Sequence, residues 1–210
     1  EGNTNTTTVS GRIETTGATA IDDSTAYGAY GIYNEGNKNK TTLSGSITTT
    51  GSGAVGIYNE GASNKTTVSG SIETTGDYAN GIDNYGDENE TTVTDSITTT
   101  GNYAEAIRNW GSNNETTVSG RITTGTETTG DDAYGIFNQG DTNETTVSGS
   151  IETTGEDAYG IYNVGKNNET TVSGSITTGG TSADGILNYG SSNTTTISGT
   201  VKATGTSSAA

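Results

Sequence analysis

The sequence predicts an all-β fold, a parallel β-solenoid of about eight rungs of 25 residues each. Three observations lead to this prediction. An aliphatic residue follows a Thr-Thr pair at a nearly constant interval, apolar and polar residues alternate within each interval, and Gly recurs where the chain must turn. A repeat period between about 20 and 50 residues is typical of solenoids, in which each rung buries its apolar side chains only against its neighbours.

The repeat is measured from the aliphatic residue after each Thr-Thr pair. The successive intervals are 34, 25, 25, 25, 29, 25 and 25 residues. The period is therefore 25, with nine residues inserted in the first interval and four in the fifth, and one repeat domain spans residues 1–210. The aliphatic residues that define the intervals are Val9, Leu43, Val68, Val93, Val118, Val147, Val172 and Ile197.

Each repeat contains two segments with the alternation of β-strands. Val68, Gly70 and Ile72 alternate with hydroxyl-bearing side chains, so we predict one continuous strand with these residues on its inner face. A turn follows, and a shorter second strand carries Ile82 and Asn84. Twenty-five residues suit one broad turn of a right-handed parallel β-helix, which we favour over a left-handed triangular helix with shorter turns.

Stacking the rungs at about 4.8 Å aligns equivalent residues in columns. Two columns of aliphatic side chains then form a thin but continuous core. The first column is Ile13, Ile47, Ile72, Ile97, Ile122, Ile151, Ile176 and Val201, and the second is Ile32, Ile57, Ile82, Ile107, Ile136, Ile161 and Ile186.

Composition and charge restrict the classes of function. The chain has 8 basic and 25 acidic residues, a net charge of −17, which opposes binding to nucleic acid or to anionic membranes. Cys, His and Met are absent, so disulfides, thiolate metal sites and imidazole bases are excluded. No apolar run reaches transmembrane length and no signal peptide is present, and we expect no membrane insertion. The missing initiator Met leads us to expect a mature or excised chain.

The phrases T-T-V-S-G-S-I-E-T-T-G and A-Y-G-I-Y-N carry a resemblance to a known group of proteins. They resemble the repeats of bacterial autotransporter passengers and related exoproteins, and the resemblance covers nearly the whole chain. It implies a β-helix that is secreted and displayed at the cell surface, and it implies no particular ligand.

Asn residues form two further columns. We predict that the first column is a ladder of stacked turn amides, which satisfies backbone that would otherwise be buried unpaired. Each Asn of the second column opens an N-x-T sequon, so this column is either a glycosylated spine or a second amide ladder. The first column is Asn34, Asn59, Asn84, Asn109, Asn138, Asn163 and Asn188, and the second is Asn5, Asn39, Asn64, Asn89, Asn114, Asn143, Asn168 and Asn193.

Acidic pairs recur at one turn of neighbouring rungs. Asp131-Asp132 and Glu156-Asp157 bring four carboxylates together when the rungs stack, and carboxylate oxygens are ligands that Ca²⁺ prefers. Ca²⁺ is thus the one cofactor that the sequence offers, with a solvated acidic surface as the alternative.

Aromatic residues concentrate on the second strand and the residues that follow it. By alternation, the side chains that flank the inward Ile face outward, and such a stripe suits a sugar chain or a neighbouring molecule. The alternative is stacking between rungs that only stiffens the rod. The stripe comprises Tyr33, Tyr58, Tyr85, Trp110, Phe137, Tyr162 and Tyr189.

These patterns favour an extracellular structural protein over an enzyme, because no pair of carboxylates was seen to depart from the repeat. We expect the subunit of a head-to-tail surface filament, in which the nine-residue insertion fills the joint between copies with extra apolar residues, namely Ala20, Ile21, Tyr27 and Tyr30. The alternative is an adhesin or carbohydrate-binding rod whose partner is an extracellular polysaccharide. A third hypothesis is ice binding by outer columns of Thr, against which charged residues in those columns argue.

Overall fold

The computed structural model describes residues 4–17, 29–126 and 130–210 and confirms the parallel β-solenoid. These residues form 23 strands and no helix. The strands belong to three parallel sheets, and the chain visits each sheet once per turn. Rung 1 contains the first three strands and rung 7 contains the nineteenth to the twenty-first. The last two strands begin rung 8, so the rod has about seven complete turns.

The strand bounds follow the repeat in all three sheets. The first sheet has the order β1 (Thr6–Val9), β4 (Lys40–Leu43), β7 (Lys65–Val68), β10 (Glu90–Val93), β13 (Glu115–Val118), β16 (Glu144–Val147), β19 (Glu169–Val172) and β22 (Thr194–Ile197). The second has the order β2 (Arg12–Thr16), β5 (Ser46–Thr50), β8 (Ser71–Thr75), β11 (Ser96–Thr99), β14 (Arg121–Thr124), β17 (Ser150–Thr153), β20 (Ser175–Thr178) and β23 (Thr200–Ala203). The third consists of β3 (Ile32–Glu35), β6 (Ile57–Glu60), β9 (Ile82–Tyr85), β12 (Ile107–Trp110), β15 (Ile136–Gln139), β18 (Ile161–Val164) and β21 (Ile186–Tyr189).

Each turn has three strands, and the prediction of one continuous first strand was wrong. The chain bends at Ser69–Gly70, between β7 and β8, and both of these backbone N–H groups donate to the carbonyl of Leu43 in the preceding rung. Alternation did not reveal the bend, because Val68 and Ile72 point inward on either side of it. The inner and outer faces were nevertheless assigned correctly.

The core consists of the predicted columns. Register pairs such as Ile47 with Ile72 and Ile82 with Ile107 align the Ile side chains, and Leu43 and the Val residues of the first sheet form a third column. Across the inner rungs these side chains are essentially inaccessible to solvent. β-Branched residues suit this arrangement, because their restricted side chains pack well on a pleated surface.

The first Asn column forms a hydrogen-bonded ladder inside the solenoid. Its residues lie in the strands of the third sheet, whereas we predicted a ladder of turn residues. Each Nδ2 donates to the Oδ1 of the Asn in the next rung at 2.7–2.8 Å. The same Nδ2 donates to a Thr Oγ1 of the first sheet at 2.9–3.1 Å, as Asn84 does to Thr91. The ladder therefore links two sheets across the interior and satisfies the buried amides.

Two of the three corners in each turn require left-handed backbone. One lies between the second and third sheets and the other between the third and the first. At the latter, Gly165 has φ 139° and Asn167 has φ 57°, and equivalent pairs recur on the other rungs. Such corners leave little space between rungs, because a Cβ added at Gly165 would lie 2.1 Å from the carbonyl oxygen of Gly140.

Candidate functional site

A cleft of about 400 Å³ opens on the outer face of the third sheet, and we call it the trough. It runs across rungs 1 to 4, beside the corner between the second and third sheets. Its lining is Tyr30, Gly53, Val55, Tyr58, Tyr78, Asn80, Asp83, Tyr103, Glu105 and Arg108. A volume of this size lies in the range of ordinary small-ligand sites.

The floor of the trough is the column two residues before the inward Ile. Backbone hydrogen bonds from Gly31, Gly56 and Gly81 to the next rung set its register. Aromatic residues stand at the two ends of this column, and three smaller or more polar residues lie between them. The rings therefore close both ends of a depression that is about three rungs, or roughly 14 Å, long. In order the column reads Tyr30, Val55, Asn80, Glu105 and Tyr134.

One wall of the trough is formed by Tyr78 and Tyr103 at the corner. Their rings stack with centroids 5.0 Å apart, and both residues have positive φ, 59° and 53°. Bulky residues rarely adopt this conformation, which costs roughly 1–2 kcal/mol each. Buried bonds hold the corner in place, since Thr74 and Thr99 each donate to a corner carbonyl at 2.6 Å. The same corner position has positive φ in neighbouring rungs, at Gly53 and Asp132, so this conformation belongs to the repeat.

The other wall is a column in which two charged residues replace aromatic ones. Tyr58 begins it in rung 2, Asp83 and Arg108 follow in register, and Phe137 resumes the aromatic series in rung 5. Arg108 donates from Nε to Asp83 Oδ1 at 3.0 Å and from Nη2 to Oδ2 at 2.6 Å. A planar, two-point pair of this type fixes both side chains. The guanidinium also lies 5.6 Å from the ring centroid of Trp110.

Asn80 and Glu105 connect the floor to this ion pair. Asn80 donates from Nδ2 to Asp83 Oδ2 at 3.2 Å and accepts from the backbone N–H of Glu105 at 2.9 Å. Glu105 is only 7% exposed, and this burial raises the pKa of its carboxyl to about 7, although Arg108 acts to lower it. Burial likewise raises the pKa of the Tyr58 hydroxyl to about 12. Buried, polarised groups in a cleft are typical of binding and catalytic sites.

The two interruptions of the 25-residue period attach on either side of the trough. The first insertion falls between Gly17 and Ala29 in rung 1 and the second between Thr126 and Gly130 in rung 5, and residues 18–28 and 127–129 lie outside the described part of the chain. Both points lie at the corner that Tyr78 and Tyr103 occupy in the intervening rungs. Of the residues that we assigned to a filament joint, Ala20, Ile21 and Tyr27 lie outside the described part of the chain, and Tyr30 lines the trough.

The predicted aromatic stripe divides into two neighbouring columns on the same outer face. The first contains Tyr33, Tyr58, Phe137 and Tyr162. The second contains Tyr85, Trp110 and Tyr189. Rings of adjacent rungs stack, as Tyr33 and Tyr58 do at 5.5 Å, and Tyr85 and Trp110 remain 49% and 42% exposed. Stacking between rungs and exposure to a partner therefore occur together on this face.

The four carboxylates proposed for Ca²⁺ do not converge. Asp131 Oδ1 accepts from the backbone N–H of Glu156 at 3.1 Å, and Asp132 accepts from the Tyr134 hydroxyl at 3.3 Å. Burial and the neighbouring Asp157 raise the pKa of Asp132. Across residues 4–17, 29–126 and 130–210, no three acidic side chains are grouped so that they could hold a metal ion. Stacking places these residues in neighbouring rungs, but Asp131 and Asp132 accept from protein donors.

The sequon Asn residues form the second amide ladder. In each rung the Asn backbone N–H donates to the Oδ1 of the next Asn at 2.8–3.1 Å. The six from Asn39 to Asn168 are at most 2% exposed, whereas Asn5 is exposed and Asn193 is half-buried. The folded rod leaves no room for a glycan on the six internal residues. The buried Nδ2 atoms of Asn114 and Asn143 have no hydrogen-bond partner in the described chain.

Sequence reasoning missed Asn80, Asp83, Glu105 and Arg108 as a group. The signal was present, because these residues break two columns in the same two consecutive repeats. It becomes visible only when the repeats are aligned column by column, as the rungs align them.

The fold defines the class of this protein as a parallel β-solenoid of tandem repeats with an internal asparagine ladder. No family model, curated protein or solved structure matches the chain. Within the described ranges, no helix is long and apolar enough to cross a membrane.

Proposed function

We propose that the protein is an extracellular rod that binds polysaccharide through the trough. The trough carries the proposal. Within it, two consecutive rungs of the repeat carry a hydrogen-bonded set of polar residues, and Tyr side chains line the trough beside them. Sugars present both apolar C–H faces and hydroxyl groups, which suit aromatic rings beside carboxylate, amide and guanidinium groups. The length of the trough suits a di- or trisaccharide segment of a longer chain.

Binding is favoured over catalysis by the burial of Asp83. Asp83 is 1% exposed and is held by both Arg108 and Asn80. Such a group positions its neighbours and offers little access to a reacting bond. Ice binding is also disfavoured, because the outer columns of the first two sheets contain charged residues such as Lys65, Glu90 and Arg121.

Calorimetric titration of the 210-residue chain with a panel of hexose and hexosamine trisaccharides tests the proposal. We expect saturable binding of at least one trisaccharide, and Tyr78→Ala should weaken it by about tenfold through loss of one aromatic wall. Tyr189→Ala is the matched control, because Tyr189 is an exposed aromatic residue of the same sheet outside the trough. Absence of binding, or equal losses in the two variants, would overturn the proposal.

A second candidate function, head-to-tail assembly into a filament, is favoured by the repeat itself, because all three sheets are parallel and Val172 and Ile197 keep the same register as the earlier rungs. A rung from a second copy would cover Ile197 in the same register and extend all three sheets. Such a filament leaves the outer face of the third sheet open, so the two functions are compatible.

Electron microscopy and light scattering of the purified chain test the assembly. We expect filaments whose length increases with protein concentration, and Ile197→Lys should shorten them because it places a charge in the joint. Thr196→Lys, one residue away on the outward-facing column, is the control. A monomer at every accessible concentration would exclude the filament.

A further inference from the structure

We infer that the trough binds its ligand through an ammonium group held beside Glu105, so that the polysaccharide it recognises contains amino sugars. This inference rests on the proposed function and names the class of sugar. Four features carry it: the balance of charge in the trough, the position of Glu105, the Tyr residues around it and the charge of the whole chain.

Acidic groups outnumber basic ones in the trough. Its lining contains Asp83, Glu105 and Arg108, and Asp132 lies close enough to its end to act on Glu105. The guanidinium of Arg108 is engaged by both carboxylate oxygens of Asp83. The Arg108–Asp83 ion pair therefore compensates the negative charge of the Glu105 carboxylate only in part.

Glu105 is buried in the position that a cationic ligand would require. It is more than nine-tenths buried and yet lines the cleft, and burial dominates the rise of its pKa. A buried carboxylate without a full counter-charge is costly, and a cation placed beside it removes that cost. The groups that act on it are Arg108, Asp83 and Asp132, together with the Tyr134 hydroxyl on the next rung.

The Tyr residues of the trough complement an ammonium group. Tyr103 lines the trough in the same rung as Glu105 and Tyr78 one rung before it, while Tyr30 and Tyr58 line the trough farther along. Aromatic rings attract ammonium groups through their quadrupoles, and several rings around a carboxylate are a recurring arrangement for cationic ligands. A neutral sugar could donate a hydroxyl hydrogen bond to the carboxylate but would leave its charge uncompensated.

The charge of the whole protein favours the same class of ligand. A net charge of −17 attracts cationic chains and repels polysaccharides built from uronic acids or carrying sulfate. Ammonium chemistry has two sources, an amino sugar or a small quaternary amine such as choline, and the sugar fits better because the trough extends over three rungs.

The experiment compares a trisaccharide of glucosamine with its fully N-acetylated form by calorimetry at about pH 7, where the amino groups of the sugar and the Glu105 carboxyl are each ionised in part. The two ligands share a ring skeleton and differ in charge. We expect the glucosamine form to bind about tenfold more tightly, as a charged hydrogen bond in a buried site requires. Glu105→Gln, nearly isosteric, should abolish this preference. Glu73→Gln, which removes an exposed carboxylate of the second sheet, should preserve it.

Choline provides a second measurement that needs no variant, because its charge does not change with pH. Glu105 is mainly neutral below its pKa of about 7 and mainly ionised above it. Binding of choline by the unmodified chain should therefore strengthen as the pH rises from about 5.5 to about 8, over which the carboxylate gains its charge. The pH dependence of choline binding therefore tests the ammonium site even if Glu105→Gln fails to fold.

The outcomes separate this inference from the proposed function. Equal affinity for the two trisaccharides, or choline binding that does not depend on pH, overturns the ammonium site and leaves carbohydrate binding intact. Failure of both trisaccharides to bind, with choline still bound, overturns the sugar and identifies a small quaternary amine as the ligand. Failure of all three ligands, together with the hexose panel, overturns both proposals.

Discussion

Replacing Ile107 with Asp is expected to lower the free energy of unfolding by at least about 4 kcal/mol. Ile107 is completely buried and lies in register between Ile82 and Ile136, so the new carboxylate would have apolar neighbours above and below it. The effect should extend along the rod, because in a solenoid each rung is stabilised by its neighbours. Urea denaturation followed by circular dichroism measures the loss.

Thr98→Asp is the matched control for this experiment. Thr98 lies at the outward-facing position of β11, with Glu73 and Thr123 as its register neighbours. A carboxylate there stays solvated and faces one like charge, so the loss should remain below about 1 kcal/mol. Losses of similar size at residues 98 and 107 would refute the assignment of inner and outer faces.

The columns of the solenoid were predictable because the repeat itself specifies the register. Once Ile72 and Ile97 are recognised as equivalent, stacking them leaves little freedom in which side chains point inward. The Ser69–Gly70 corner was not predictable by the same reasoning. Alternation reports only on the two faces of a strand, and it continues unbroken when the chain bends at a residue without a side chain.

The location of the first Asn ladder shows a second limit of prediction from the sequence. Asn is common in turns, and this favoured a turn for Asn84 and its equivalents. In the structure Asn84 is a strand residue whose amide is satisfied by Asn109 and Thr91. A periodic Thr column on the opposite sheet supplies those partners, and recognising it requires knowing which sheets face each other.

The aromatic stripe and the trough could not be told apart by counting residues along the chain, because such counting does not align the rungs column by column. Tyr58 and Tyr85 are 27 residues apart, whereas register partners in this part of the chain are 25 apart. The residue in register with Tyr58 is Asp83, and the next is Arg108. An alignment by column shows at once that two aromatic positions have become an ion pair, which is the most specific departure in the sequence.

Gly165→Ala is expected to be a strongly destabilising substitution at a corner of the solenoid. The added methyl carbon would lie 2.1 Å from the Gly140 oxygen and 2.7 Å from its carbonyl carbon, both of them backbone atoms of the rung below. Relief requires rungs 6 and 5 to separate, which would weaken the hydrogen bonds of all three sheets at that level. The φ of 139° adds strain for any residue with a Cβ.

Gly36→Ala separates the two contributions, because Gly36 occupies the same column in rung 1. It also has positive φ, 96°, but its added Cβ would meet no atom within 4 Å. We expect a loss of about 1–2 kcal/mol at Gly36 from backbone strain alone. The loss at Gly165 should exceed it by about 1–3 kcal/mol, the usual cost of overpacking. Thermal or urea denaturation of both variants measures the difference. Equal losses would mean that the rungs can separate freely at this corner, and the spacing between rungs would then be set by the Asn ladders and the Ile columns alone.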